Sequence, residues 1–119
     1  MAGRDLIPIA YLRECFRYDP ETGELHWRER PRSHFPDRRS RTVWNLRWVG
    51  KEAGSLRKNG TRHICITIKG KQRGVFAHRA AWALTKGEYP LNEIVHDDAD
   101  RSNNRFKNLK PVTHANACA

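Results

Sequence analysis

Long apolar runs are missing from these 119 residues, and the mean hydropathy is −0.85. No stretch approaches the ~20 apolar residues that a membrane-spanning helix needs. The opening MAGRDLIPIA lacks the apolar core of a secretory leader, so the expectation is a soluble, cytoplasmic chain. Cysteine is scarce: Cys15, Cys65 and Cys118 lie far apart and form no CxxC pair. That excludes a zinc knuckle or a CxxC redox site and reads as free thiols in a reducing compartment. His63 and Cys65 would share one face of a strand, but two ligands do not make a metal site. Internal repeats and low-complexity segments are also absent.

Acidic residues are few, 13 against 23 Lys and Arg, and the imbalance is local. Residues 28 to 79 hold 15 basic residues against Glu29, Asp37 and Glu52, while the rest of the chain is slightly acidic. A positive field of this kind attracts polyphosphate, and each Lys or Arg that meets a phosphate releases a counterion. Nucleic acid is therefore the leading partner. A membrane surface is disfavoured because no amphipathic basic helix is evident.

Aromatic residues and hydrophobic periodicity are sufficient for one folded domain spanning 1–119. In residues 5–18, Ile9, Leu12, Cys15 and Phe16 fall at helical spacing, and DPETG then supplies a turn. ELHW (24–27) alternates as a strand. The stretch RERPRSHFPDRRSR has two prolines and no apolar period, which predicts a surface loop carrying Arg28, Arg30, Arg32, Arg38, Arg39 and Arg41. Trp44 and Trp48, four apart, suit one face of an element and core packing.

From 51 to 90 the pattern becomes sharper. Ile64, Ile66 and Ile68 alternate strictly between the turn signals Asn59-Gly60 and Lys69-Gly70, and Arg73–Phe76 returns as a further strand. HRAAWALTKG (78–87) reads as a helix closed by Gly87. His78, at its start, reads as a packing or capping residue, with a phosphate contact as the alternative. His26 and His34 receive no role. The opposite face of the isoleucine strand, with Arg62, His63 or Cys65, Thr67 and Lys69, is free to meet DNA.

The last thirty residues are organised differently. Ile94-Val95-His96 is a short strand, DDADRSNNR an acidic, amide-rich loop, Asn108–Val112 a second strand, and Thr113 can cap a final short helix. An EF-hand is excluded, because a loop starting at Asp98 has Asn103 where Gly is needed and Leu109 where Glu is needed.

This segment resembles the HNH endonuclease family in the form common among small phage and mobile-element enzymes. Val95-His96-Asp97-Asp98-Ala99-Asp100, Asn103-Asn104-Arg105, Asn108-Leu109 and Val112-Thr113 stand in register with the family pattern without a gap. YDPETGELHW, NGTRHICITIKGK and AHRAAWALTKGEYP resemble the segments that precede the motif. Residues 59–90 are also similar to the three-stranded DNA-reading domains of plant ethylene-response factors.

The resemblance implies an α+β fold with a small antiparallel sheet, a helix across it and a C-terminal ββα-metal module. Within one domain, 1–50 would hold the N-terminal helix, strand and Arg-rich segment, 51–90 the three-stranded sheet with its helix, and 91–119 the HNH-like module. It implies hydrolysis of phosphodiester bonds in double-stranded DNA, in the cytoplasm of a bacterial host, with His96 as general base and Asn108 as its orienter. A divalent metal is implied, Mg2+ first, with Mn2+ or Ni2+ as alternatives.

In the family that ion is held by an acidic residue before the base and by Asn or His on the final helix. Here Val95 and Ala117 occupy those positions. Asp98, with His114 or Asn116, is the substitute the sequence offers. Arg38, Arg39, Arg41, Arg62, Lys69, Lys71, Arg73, Arg79, Arg101 and Arg105 are the candidate DNA contacts. Val95 and Ala117 also favour a rival reading, an HNH-fold protein that binds DNA or a host or phage protein without cutting. A basic RNA-binding protein is the third reading, distinguished by preference for single strands.

Overall fold

The computed structural model describes residues 7–112. Elements run in the order α1 (Ile9–Cys15), β1 (Phe16–Tyr18), β2 (Leu25–Trp27), α2 (Arg38–Trp48), β3 (Ser55–Leu56), β4 (Arg62–Ile68), β5 (Lys71–Phe76), α3 (Ala77–Lys86), β6 (Ile94–His96) and β7 (Leu109–Pro111). Among the described residues there are three small sheets, β1-β2, β3-β4-β5 and β6-β7, each antiparallel, so the α+β expectation holds. Among the described residues no helix is long and apolar enough to cross a membrane.

The helix expected over 5–18 ends earlier, at Cys15. Phe16 turns to extended backbone, φ −129° and ψ 148°, because Phe16 and Tyr18 pair with Trp27 and Leu25. The next sheet follows its sequence pattern. Ile64 and Ile66 are buried while Cys65 and Thr67 face outward, and Lys69 and Gly70 both take positive φ in the tight turn that returns the chain into β5. Gly87 closes α3 with φ 80°, the left-handed cap that its position suggested.

One apolar cluster joins all parts. Leu12, Cys15, Phe16 and Leu25 from the N-terminal segment meet Ile64, Ile66 and Val75, four alanines of α3, and Ile94 and Leu109 of the last hairpin. Burial pushes the Cys15 thiol up to about 12, which keeps it protonated. Trp44 packs edge-on against Trp27 at 4.9 Å, in keeping with a packing role.

The Arg-rich stretch is not the surface loop that its composition suggested. Arg32–His34 forms a 3-10 turn, and α2 begins at Arg38 because the Asp37 carboxylate caps it by accepting from the Ser40 N–H at 2.7 Å. Arg30 is 2% exposed. Its guanidinium donates to Tyr11 Oη at 2.7 Å and to His34 Nδ1 at 3.0 Å, and lies over the Phe35 and Trp44 rings. His34, given no role by the sequence, stacks on Tyr11 at 3.8 Å and donates from Nε2 to Glu14 at 2.8 Å. Tyr11, Glu14 and Trp44 are remote in sequence, so neither residue's burial shows in its local pattern.

Candidate functional site: the His96 hairpin

Ile94 and Leu109, both buried, anchor β6 and β7, and the register pairs Ile94 with Pro111, Val95 with Lys110 and His96 with Leu109. The connecting loop is tied together from within by Asn108. Its Oδ1 accepts from the Asp98 N–H at 2.9 Å, and its Nδ2 donates to Asp98 Oδ1 and to the Asn103 carbonyl, each at 2.9 Å. Asp98 Oδ2 accepts from Asn103 Nδ2 at 2.7 Å. The Asn103 amide, then the Asp100 N–H and Asn108, hold the Asp98 carboxyl below its ordinary range. Asp100 accepts from the hydroxyl and N–H of Ser102 and is likewise held low. Ala99 takes φ 67°, a left-handed conformation that costs an L-residue about 1–2 kcal/mol.

His96 Nε2 lies 2.8 Å from Asn104 Oδ1, and Asn104 is 3% exposed. An amide oxygen can only accept, so this contact selects the imidazole tautomer protonated at Nε2 and leaves a lone pair on Nδ1. Asn104 is the residue that sequence reasoning missed, since it stands in the motif only as one member of the Asn103-Asn104-Arg105 stretch and carries no role of its own there. The pair Asn103-Asn104 gives no sign of which side chain reaches the histidine.

His78 meets His96 edge-on at 5.1 Å and stacks on Phe76 at 5.5 Å, in keeping with a packing role. Burial first, then the His96 and Arg79 charges, push its pKa down to about 4, so it is neutral. Its buried Nδ1 has no hydrogen-bond partner. Phe76, His78, Glu93, Val95, His96 and Arg101 line a cavity of about 500 Å3.

The candidate DNA contacts divide into free and tied groups. Arg38, Arg39, Lys69, Lys71 and Arg101 are exposed. Arg39, Arg47 and Lys69 line a groove of about 1160 Å3 between α2 and the outer face of β4, where His63 and Cys65 stand on one face as expected. Arg73 pairs with Ile66 and is half-buried. Arg41 donates to the Arg30 carbonyl at 2.8 Å, and Arg62 to the Gly54 carbonyl at 2.9 Å while pairing with Glu52. Arg105 donates to the Glu21 carbonyl at 2.7 Å. Arg79 departs from the expected surface role: it is 4% exposed, and its guanidinium holds the carbonyls of Pro90 and Asn92.

The donors for a divalent cation are incomplete within the described residues. Val95 offers none, and Asp98 uses both oxygens on the loop's own donors. Among the described residues no group of three His, Cys, Asp or Glu gathers to hold an ion. His114, Asn116, Ala117 and the final helix expected after Thr113 lie outside the described residues. The residues at hand do not fit a complete metal site.

Residues 75–117 match the family model described as HNH endonuclease, so the resemblance carried by the His96–Thr113 motif holds. HNH nucleases generally use a divalent metal. Among solved structures the chain is similar to one titled "DNA binding and cleavage by the HNH homing endonuclease I-HmuI", with TM-score 0.54 and 21% identity. The match covers 87% of this chain and 49% of that one, so the chain has the fold of an HNH endonuclease and spans about half the length of that neighbour. A comparison with curated proteins finds no match.

Proposed function

We propose that the protein is a DNA endonuclease of the HNH type that hydrolyses phosphodiester bonds, with His96 as general base. The observation that carries this reading is the Nε2 contact to Asn104, which leaves Nδ1 able to take a proton from an attacking water. Oxygen then bonds to phosphorus as the phosphorus bond to the leaving oxygen breaks. Histidine suits this task because a neutral imidazole carries one nitrogen that can accept a proton while the other donates a hydrogen bond. Asn108 keeps the loop in shape beneath His96, and Arg101 at the cavity rim faces the phosphate. Arg38, Arg39, Lys69 and Lys71 hold the duplex through its backbone. A bound divalent ion would neutralise charge building on the phosphate. For Asp98 to serve as a ligand with His114 or Asn116 it would have to release an oxygen from Asn103 or Asn108; Mg2+ is the first ion to try and Mn2+ or Ni2+ the next.

Val95 favours a second reading. It is 47% exposed at the position where the family pattern has an acid, as expected of an HNH fold that binds DNA or a host protein without cutting. Nicking of supercoiled plasmid with Mg2+, Mn2+ or Ni2+, beside His96→Ala and an EDTA control, decides between them. The nuclease reading expects metal-dependent nicking that disappears in His96→Ala. Duplex binding without nicking under any of these ions overturns it and leaves the binding reading.

A further inference from the structure

We propose that Tyr18 is a positioning residue for His96, acting through Asn104 from the other end of the chain. For its kinetic consequence the proposal rests on the nuclease reading above. The Tyr18 hydroxyl donates to the Asn104 backbone carbonyl at 2.5 Å, and the Asn104 side-chain oxygen is the partner of His96 Nε2. The next two residues are held by the same N-terminal turn. Arg105 donates from Nε to the Glu21 carbonyl at 2.7 Å, and the Phe106 N–H donates to the Pro20 carbonyl at 3.0 Å. Residues 104, 105 and 106 are thus clamped in succession by the stretch 18–21.

The clamp explains how Asn104 can select a tautomer. An asparagine on an irregular loop has free rotation about two side-chain bonds, and its oxygen meets Nε2 only if its backbone is fixed. Tyr18 supplies that fixation across 86 residues of sequence, from a strand held by the buried Phe16 and by the pairing of Tyr18 itself with the buried Leu25. Without the phenolic O–H the Asn104 carbonyl loses its donor and the amide drifts from His96. The imidazole then samples both tautomers, and only the one protonated at Nε2 leaves Nδ1 as a base.

The test is Tyr18→Phe in the full chain, which removes one hydroxyl and keeps the ring. Nitrogen-15 NMR of the His96 imidazole at about pH 7.5 should report one Nε2–H tautomer in the wild type and a mixture in Tyr18→Phe. Plasmid nicking should lose about tenfold or more in kcat, while KM stays within about twofold, because the hydroxyl fixes geometry and touches no substrate. Asn104→Ala should give the same tautomer mixture. Collapse in Asn104→Ala with none in Tyr18→Phe overturns the proposal, as does a lower thermal midpoint for Tyr18→Phe with an unchanged tautomer. A tautomer mixture in a protein that never nicks DNA supports the positioning role and sinks the nuclease reading. Unchanged tautomer with normal nicking does the reverse.

Discussion

Gly23 sits where the N-terminal turn meets the His96 loop, and replacing it with alanine measures how much that junction contributes. Its φ is 81°, and a Cβ there would stand 2.5 Å from the Arg105 nitrogen and 2.6 Å from the Asn104 carbonyl carbon. Both are backbone atoms and cannot rotate aside. Gly70 provides the control: its φ is 80°, and nothing lies within 4 Å of its would-be Cβ.

Gly70→Ala therefore reports backbone strain alone. The left-handed conformation costs about 1–2 kcal/mol, and the stiffer unfolded chain returns about 0.4–1 kcal/mol, for a net loss of about 1 kcal/mol. Gly23→Ala carries the same loss and adds overlap, typically about 1–3 kcal/mol. It also strains the Tyr18–Asn104 and Phe106–Pro20 hydrogen bonds, each with a net worth of about 1 kcal/mol. The difference between the variants should be at least about 2 kcal/mol, a large part of the stability of one small domain. Urea unfolding followed by the fluorescence of the four tryptophans measures both. Gly23→Ala no more destabilising than Gly70→Ala would refute the idea that turn and loop are rigidly joined.

Two further outcomes follow from the same geometry. Ala99→Gly relieves a φ of 67° and should raise stability by up to about 1 kcal/mol, after the extra unfolded-state freedom of glycine is subtracted, as read from the urea midpoint. His78 is neutral in the fold with a pKa lowered to about 4, so its contribution is intact above the unfolded value of 6.5 and is lost as pH falls toward 4. The integrated loss is roughly 3 kcal/mol at 1.36 kcal/mol per unit. His34, lowered chiefly by burial, adds in the same direction, so only a flatter stability–pH curve in His78→Phe assigns the effect to His78.

The alternation of Ile64, Ile66 and Ile68 and the glycines at 70 and 87 made the central sheet and α3 legible, because each is a local signal that the structure uses locally. The spacing of His96 and Asn108 was legible for a different reason: a twelve-residue loop tied by one asparagine needs that asparagine at a fixed place. The segment 28–48 was not legible. α2 fully buries none of its residues and turns only Trp44 and Trp48 toward the core, too short an apolar face to announce a helix, and the Asp37 cap lies inside a run of arginines. Arg30 looked like surface charge because its aromatic and histidine partners come together only in the fold.

The His96 hairpin depends on this same long-range assembly. Two strands of three residues cannot hold a loop to the tolerance that proton transfer requires, since an isolated hairpin is marginal in water. The amide ties of Asn108 and Asn103 close the loop upon itself but leave the direction of Asn104 open. That direction is set by Tyr18, Pro20 and Glu21, which lie outside the matched stretch 75–117. The stretch matching the family thus carries the proposed base His96 without all of its frame, and on that reading the turn at 18–23 completes the site rather than merely preceding it.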